Sequence, residues 1–240
     1  MASVKDHYDA HLGKFYSWML GNFEERVQQQ ASYFRLLQLD PSRNKVAFDL
    51  GCGNGIQSVA LADLGYQVIA VDFNTQLLNE LRTNAAGKAV TIVEADLSDT
   101  NQYLQTAELM VCMGDTITHF ESIAQIETVL NEWYHSLVPG GRLLISFRDL
   151  SVEPEPEKRF IPVRSDENRI LTCFLEYHHE HVMVHDLLYE NLNGQWNFSV
   201  STYKKLRLSR NQVAGFLVKC GFRVRDGRTI DGMLYISADK

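Results

Sequence analysis

Three glycines within five positions follow a short apolar run in VAFDLGCGNG, residues 46–55. A strand that runs into such a turn and then into a helix aims several backbone N–H groups and the positive end of the helix dipole at one point. Glycine also lets a ligand come close to the chain. The turn at Gly51 and Gly53 therefore predicts a polar or anionic ligand.

A second chemical group follows this turn. Asp72 ends the apolar run YQVIAVD, 21 residues after Gly51, where an acid can accept hydrogen bonds from both hydroxyls of a ribose. The glycine turn and this acid together predict a nucleoside-like ligand. The dinucleotide fingerprint GxGxxG requires a third glycine where this chain has Ile56, which argues against a nicotinamide-dependent oxidoreductase.

Predicted strands and helices, which must hold these residues in place, alternate along the chain. Apolar, β-branched runs are separated by helix-length segments whose apolar residues recur three and four apart. This order predicts an α/β fold with a Rossmann-like, doubly wound, mostly parallel sheet, covered by helices on both faces. The predicted strands are 45–50, 66–72, 89–95, 108–114 and 141–147, and the predicted helices are 56–65, 75–87 and 122–141.

The pattern then changes. Residues 159–208 contain no amphipathic helix and instead predict long strands that turn near His179 and Asn193, as in an inserted antiparallel β meander. Ser209 is a candidate N-cap for a helix over 210–221, and a final antiparallel strand follows. We predict an N-terminal helical cap over 1–44, a cofactor-binding core over 45–150, the insertion over 151–208, and a helix and strands that complete the core over 209–240.

The overall composition narrows the classes of function. The 240 residues are 45% hydrophobic, enough for one substantial core, and their net charge of −7 lacks the basic footprint of a nucleic-acid-binding protein. The sequence has neither a signal-peptide pattern nor a membrane-spanning apolar run, and its four cysteines form no CxxC pair. We expect a cytoplasmic protein with buried free thiols, a small-molecule partner, and neither nucleic-acid nor membrane partners.

Four motifs, DLGCGNG, VDFN, EADLSD and VCMGDTITHF, resemble in their order and spacing the motifs of class I S-adenosylmethionine-dependent methyltransferases. The resemblance implies that the chain binds S-adenosylmethionine and forms S-adenosylhomocysteine. Asp96 also fits a turn or helix cap, because DLSD has that pattern. By resemblance, the cofactor-binding residues are Gly51, Cys52 and Gly53 near the methionine part, Asp72 near the ribose, Asp96 and Leu97 at the adenine, and also Phe73 and Met113.

Segments outside these motifs are similar in placement to segments of glycine N-methyltransferase and related enzymes that methylate small amines. They are FYSWMLGNFEER, VCMGDTITHF and ISFRDLS. This resemblance implies that Tyr16 lies along the cofactor, that Arg26 binds the cofactor carboxylate, and that Arg148 faces the methyl acceptor. The chain has Asp115 where that family tends to carry an amide, which leaves the acceptor open.

An amine that attacks a sulfonium methyl group must first be neutral. We therefore expect a group that orients the amine, and the candidates are Asp115, His119 and a main-chain carbonyl near Met113. Asp115 also fits a cap at the end of the fourth strand. The Arg148 guanidinium suits an acceptor that bears a carboxylate or another anion, because it forms bidentate hydrogen bonds.

Several candidates also have a purely structural interpretation. Tyr16 fits an apolar helix stripe, and Arg26 fits a solvated partner of a neighbouring glutamate. His179 and His181 suggest a metal site, but the predicted turn at this point would splay their rings, so we expect no metal.

Three functions are compared on these patterns. The sequence favours a methyltransferase that acts on a small amine or amino-acid-like acceptor by direct in-line transfer. The alternatives are a cofactor-binding module without catalysis and, less favoured, a nicotinamide-dependent oxidoreductase. The insertion begins just beyond Arg148 and would serve as an acceptor lid or, through aromatic residues such as Tyr189 and Trp196, as a homodimer interface.

Overall fold

The structure, a computed structural model, describes residues 3–240. Its strands are β1 (Val46–Leu50), β2 (Gln67–Asp72), β3 (Val90–Glu94), β4 (Ala107–Cys112), β5 (Leu137–Phe147), β6 (Phe160–Ser165), β7 (Arg169–Tyr177), β8 (His181–Leu192), β9 (Gln195–Leu206), β10 (Arg223–Ile230) and β11 (Met233–Asp239). Its α-helices are α1 (Val4–Ala10), α2 (Tyr16–Leu20), α3 (Phe23–Leu36), α4 (Ile56–Asp63), α5 (Thr75–Asn84), α6 (Ile123–Ser136) and α7 (Arg210–Lys219). Short 3₁₀ turns lie at Leu12–Lys14, Thr100–Gln102, Thr116–His119 and Pro156–Arg159.

The larger of two sheets has seven strands in the order β10-β11-β5-β4-β1-β2-β3. Strands β1 to β5 pair in parallel, and β11 pairs antiparallel with both β5 and β10. The smaller sheet is an antiparallel meander in the order β6-β7-β8-β9. The predicted fold class, a mostly parallel doubly wound sheet with a final antiparallel strand and an inserted meander, is confirmed.

Helices cover both faces of the larger sheet. Phe48 of β1 packs with Trp133 of α6, whereas its neighbour Ala47 packs in a second apolar layer with Phe34 of α3 and Leu61 of α4. Every residue of β4 is buried, as expected for a central strand with helices on both sides. The core therefore lies in two layers, and a ligand site is expected just beyond the carboxyl ends of the parallel strands.

Helix boundaries follow local signals. Gly55 adopts a left-handed φ of 95° before α4, and a Cβ atom there would lie only 2.1 Å from Leu81. Ser209 caps α7 as predicted, since its side chain accepts a hydrogen bond from the backbone N–H of Gln212. The predicted turns near His179 and Asn193 are also present.

Two local predictions were incomplete. The sequence predicts a helix up to residue 141, but α6 ends at Ser136 and the following Pro-Gly segment already belongs to β5. The meander has one more turn than predicted, at residues 166–168, where an Asp166 side-chain oxygen accepts hydrogen bonds from the N–H groups of Asn168 and Arg169. Such an Asx turn depends on a short polar side chain rather than on glycine or proline.

The first two helices and the 3₁₀ turn between them form an N-terminal segment, residues 4–20, that bridges the two sheets. Leu12 and Phe15 of this segment pack on Leu171 and Leu188 of the smaller sheet. Gln76 on the larger sheet's side donates a hydrogen bond to its backbone, at the carbonyl of Gly13, over 2.8 Å. Among the described residues, no helix combines the length and apolar character that a bilayer crossing requires.

Candidate functional site

The glycine turn lies between β1 and α4 at the carboxyl end of the larger sheet. The backbone N–H groups of Gly51 and Cys52 both donate to the carbonyl of Val71, over 2.8 and 3.0 Å. Gly51 and Gly53 have left-handed φ angles of 77° and 52°, and a Cβ atom on Gly51 would lie 2.4 Å from the Thr116 side chain. Both the backbone conformation and the close neighbours thus require glycine.

Asp72 ties this turn to the end of β2. Its carboxylate accepts hydrogen bonds from the N–H groups of Gly53 and Asn74, each over 2.9 Å. Burial raises the pKa of this carboxyl group. Each carboxylate oxygen has a second lone pair, so Asp72 can fix the turn and still accept a hydrogen bond from a ligand hydroxyl.

Asp49 is a second acid beneath the turn, which the sequence analysis did not select. It is buried and accepts a hydrogen bond from the Ser58 hydroxyl over 2.6 Å. Burial raises its pKa to about 7. Its position two residues before Gly51, at the end of an apolar strand, was the signal available in the sequence.

The N-terminal segment covers the glycine turn. A Cβ atom on Gly53 would lie 3.3 Å from the Tyr16 ring and hydroxyl, so this ring lies directly over the turn. The Asn54 amide donates to the Ser17 hydroxyl over 2.8 Å. The Tyr8 ring lies 6.1 Å from the Tyr16 ring and 5.7 Å from the Phe73 ring, measured between centroids. Tyr16 and Phe73 are thus brought to one place, and their contacts with the cofactor stay predictions.

Other predicted cofactor residues make local contacts. Asp96 accepts hydrogen bonds from the backbone and hydroxyl of Ser98, which is the turn interpretation considered above. Leu97 is buried, and its carbonyl accepts a hydrogen bond from the Tyr103 hydroxyl over 2.7 Å. Arg26 is exposed, and its Nε donates to the carbonyl of Leu20 at the end of α2.

Cys52 and Met113 are both buried beside the turn. Burial raises the pKa of the Cys52 thiol, so the thiol stays protonated and packs rather than reacts. The Met113 carbonyl accepts a hydrogen bond from the Thr116 hydroxyl over 2.9 Å, which occupies one of its lone pairs. These contacts do not test the cofactor-binding roles of Asp96, Leu97, Arg26 and Met113, which stay predictions.

Asp115 is the centre of a buried ion cluster. One carboxylate oxygen accepts from the Arg148 backbone N–H over 2.6 Å, and the other accepts from the Lys205 ammonium over 2.8 Å and from the Arg148 guanidinium. The two cations hold the pKa of this carboxyl group far below its usual range against the opposing effect of burial. Asp115 therefore stays ionised and is unsuited to accept a proton from an amine.

His119 lies at the end of the 3₁₀ turn that begins with Thr116. Burial and the nearby Lys205 ammonium lower the pKa of the imidazole to about 3, so His119 is neutral at neutral pH. Its ring lies 5.6 Å from the Tyr203 ring and 6.0 Å from the Tyr8 ring. Its buried Nδ1 has no hydrogen-bond partner among the described residues.

A second polar group lies on the other side of Tyr203. The buried His7 ring of α1 stacks on Tyr203 at 4.2 Å, and its Nδ1 lies 2.6 Å from the Ser201 hydroxyl. Its Nε2 is 3.2 Å from a carboxylate oxygen of the buried Asp186. Asp186 in turn accepts a hydrogen bond from the Cys173 thiol over 2.9 Å.

The glycine turn and these polar groups are neighbours. Thr116 packs against Gly51, and His119 ends the same 3₁₀ turn. Tyr8 contacts both Tyr16, over the glycine turn, and His119. We propose below that a methyl acceptor binds beside Tyr8, His119, Tyr203 and Lys205, and we call this group of side chains the acceptor pocket.

Sequence analysis missed several residues of this pocket. Tyr203 and Lys205 alternate along β9 with residues that face outward, so period-two alternation in STYKKL was a usable signal. His7 and Tyr8 gave no comparable signal. Within residues 3–240, no three His, Cys, Asp or Glu side chains are grouped as metal ligands, and residues 178–180 form a turn.

The chain matches known methyltransferases in sequence. The family described as methyltransferase domain matches residues 47–141. The glycine/sarcosine/dimethylglycine N-methyltransferase of Actinopolyspora halophila is 27% identical over 151 residues, which are 60% of this chain and 26% of that protein. The glycine/sarcosine N-methyltransferase of Aphanothece halophytica is 26% identical over 150 residues, 60% of this chain and 56% of that protein. The chain thus spans about a quarter and about half of the length of these relatives.

Solved methyltransferase structures have the same fold. The CcbJ methyltransferase from Streptomyces caelestis superposes with a TM-score of 0.74 at 16% identity, over 92% of this chain and 97% of that chain. An amino pentose methyltransferase from Micromonospora echinaspora, solved with S-adenosylmethionine bound, superposes with a TM-score of 0.71 at 14% identity, over 96% and 97% of the two chains.

The residues present fit S-adenosylmethionine. The Asp72 carboxylate accepts hydrogen bonds from the backbone N–H groups of Gly53 and Asn74 and keeps lone pairs for the hydroxyl groups of a ribose. When bound, the cofactor supplies an electrophilic methyl group on a sulfonium. The residues that would hold the cofactor are those of the glycine turn and Asp72.

Replacing Asp72 with alanine should weaken S-adenosylmethionine binding. The substitution removes charge-assisted hydrogen bonds worth about 1.5–3 kcal/mol, so the Kd measured by calorimetry should rise roughly tenfold to a hundredfold. Asp63→Ala, at an exposed acid that ends α4, is the matched control and should leave the Kd unchanged. Unchanged affinity in a folded Asp72→Ala protein would contradict the assignment.

The motif resemblance, the matched segment and the strand order lead to the same assignment. The glycine turn at Gly51, the acid at Asp72 and the seven-stranded sheet occur together at the carboxyl ends of parallel strands. These findings support a class I S-adenosylmethionine-dependent methyltransferase, and residues 47–141 are the segment that is similar to the methyltransferase domain family.

Proposed function

We propose that the chain transfers the methyl group of S-adenosylmethionine to the nitrogen of a small, amino-acid-like amine. The observation that carries this proposal is the neutral His119, whose buried Nδ1 is unpartnered among the described residues and whose ring lies within about 6 Å of two tyrosine rings. The acceptor pocket adjoins the glycine turn through Thr116.

These groups suit an amine nucleophile. A neutral imidazole nitrogen can accept a hydrogen bond from an amine N–H and so fix the direction of the lone pair. With a pKa of about 3, His119 is too weak a base to take the proton, and its role is orientation. Positioning of this kind supplies several kcal/mol of the barrier reduction without acid–base catalysis.

Arg148 provides a second recognition group. One nitrogen of its guanidinium donates a hydrogen bond to the Asp115 carboxylate, while 52% of its side chain is exposed. The remaining N–H groups form an edge that matches a carboxylate. We therefore propose that the acceptor bears a carboxylate in addition to its amine, which its sequence relatives named for glycine and sarcosine support.

Turnover of an amine panel tests the function. The protein is incubated with S-adenosylmethionine and amino acids or the amines that lack their carboxylates, and S-adenosylhomocysteine is measured by mass spectrometry. His119→Phe should lower kcat about tenfold or more because the amine loses its orienting partner, while the Kd for S-adenosylmethionine stays within about twofold. The exposed His135→Phe is the control. A protein that binds S-adenosylmethionine but methylates none of these amines would favour the cofactor-binding module.

Arg148→Lys should act on acceptor recognition alone. Lysine keeps the charge but loses the bidentate edge, so KM for carboxylate-bearing amines should rise about tenfold. KM for the matched amines without a carboxylate should stay unchanged, as should S-adenosylmethionine affinity. Equal changes for both classes of amine would show that Arg148 only holds Asp115.

The outer face of the smaller sheet supports a further proposal, that the protein forms a homodimer. Strand register places Ile170, Tyr189 and Phe198 side by side on this face, and the rings of Tyr189 and Phe198 are 4.6 Å apart. The residues of this outer face that are 41–55% exposed are Phe160, Ile170, Tyr189, Trp196, Phe198 and Val200.

A second copy of this chain fits the outer face. These six residues carry no charge, and the exposed Glu176 of the same face already pairs with His185, so two such faces can meet without burying an unpaired ion. Its four half-exposed aromatic side chains alone present roughly 300–500 Å². A stable interface needs about 800 Å² per partner, most of which these residues and their aliphatic neighbours supply. Flat antiparallel sheets pack face to face in this way in β-sandwiches.

Phe198→Glu should convert the dimer to a monomer. The carboxylate would have to be buried without a partner at the centre of the interface, so the mass measured by light scattering after size exclusion should halve. Val218→Glu, at an exposed apolar residue of α7, is the control and should stay dimeric. A monomeric wild-type protein at micromolar concentration would contradict the proposal.

A further inference from the structure

Lys205 is a buried lysine on the inner face of the smaller sheet. Its ammonium donates to Asp115 over 2.8 Å and lies 5.8 Å from the centre of the Tyr203 ring. Asp115 also binds Arg148, so the carboxylate is neutralised by more than one cation. The lysine therefore brings a positive charge into the acceptor pocket that the Asp115 carboxylate alone does not cancel.

Charged and titratable groups face His119 from three sides. Lys205 and Tyr203 come from β9, Asp115 from the loop after β4, and His7 and Tyr8 from α1. Asp186 on β8 contacts His7, and Arg148 at the end of β5 contacts Asp115. At the imidazole, the Lys205 ammonium lowers the pKa more than the Asp115 carboxylate raises it.

An electropositive pocket has a consequence for an amine acceptor. Free alkyl amines have pKa values near that of lysine, about 10, and are almost entirely protonated at neutral pH. A protonated nitrogen has no lone pair for the methyl group. A nearby fixed cation disfavours the ammonium form and lowers the pKa of the bound amine.

We propose that Lys205 is a positioning residue whose ammonium, fixed on Asp115, makes the acceptor pocket bind the amine as its free base. The inference rests on the proposed function. The ammonium proton leaves to water when the amine binds. The nitrogen lone pair then forms the N–C bond while the C–S electron pair stays on sulfur, which becomes neutral. The methylated product is a cation and is repelled by the same lysine, which favours its release.

The first test is a titration of His119 that needs no acceptor. Imidazole shifts are followed by NMR in the full chain, with His119→Phe to assign the signal. Lys205→Met should raise the pKa of His119 by about one unit or more, because the opposing cation is gone and Asp115 stays paired with Arg148. Lys204→Met, the adjacent residue on the opposite face of β9, should leave this pKa unchanged.

The second test uses the pH dependence of turnover. Lys205→Met should lower kcat about tenfold at pH 7, because the pKa of the bound amine rises by about one unit. The kcat of this variant should return to the wild-type value by roughly pH 9. Lys205→Arg keeps the charge and should retain the wild-type profile. Thermal unfolding and the Kd for S-adenosylmethionine verify that the variants are folded.

The outcomes separate the two proposals. An identical His119 titration in wild type and Lys205→Met overturns the inference whether or not an acceptor is known. A loss of kcat that is equal at every pH also overturns it, because this result is that of a structural residue. Failure to methylate any amine overturns the proposed function instead, and the titration still decides the role of Lys205.

Discussion

The buried carboxylate of Asp115 is the interaction on which the arrangement of the two sheets depends. A carboxylate removed from water is costly unless cations and N–H groups satisfy it. Its partners come from the end of β5 and from β9, so the larger sheet and the meander meet at this one group. Two different chain segments must therefore be in place at once, and the pocket they border acquires a defined shape and charge.

The glycine turn and the acceptor pocket are built from different parts of the chain. The glycine turn and Asp72 belong to the larger sheet and are set by backbone geometry at the carboxyl ends of β1 and β2. The acceptor pocket instead uses side chains from the N-terminal segment and the meander, such as Tyr8 and Tyr203. In the proposed function, cofactor and acceptor would thus be recognised by parts of the chain with different structural origins, which meet at Thr116.

What the sequence could predict was local. The alternation of strands and helices, two of the three turns of the meander, the Ser209 cap and the glycine turn all follow from patterns within about a dozen residues. The ion cluster does not, because Lys205 and Asp115 are 90 residues apart and His7 and Ser201 are 194 apart. The sequence suggested Asp115 as an orienting group for the acceptor, whereas in the structure its oxygens are committed to Arg148 and Lys205. The sequence around one residue does not indicate a partner that lies 90 or more residues away along the chain.

The short helices over the glycine turn have a consequence for ligand exchange. Helix α1 has seven residues and α2 has five, and helices of this length do not persist in water without tertiary contacts. Separation of Tyr16 from Gly53 would therefore cost the segment its helical structure, and the segment would not swing as a rigid flap. Such an opening would be a local unfolding that gains chain entropy, and closure over a ligand would be a folding step that uses part of the binding free energy.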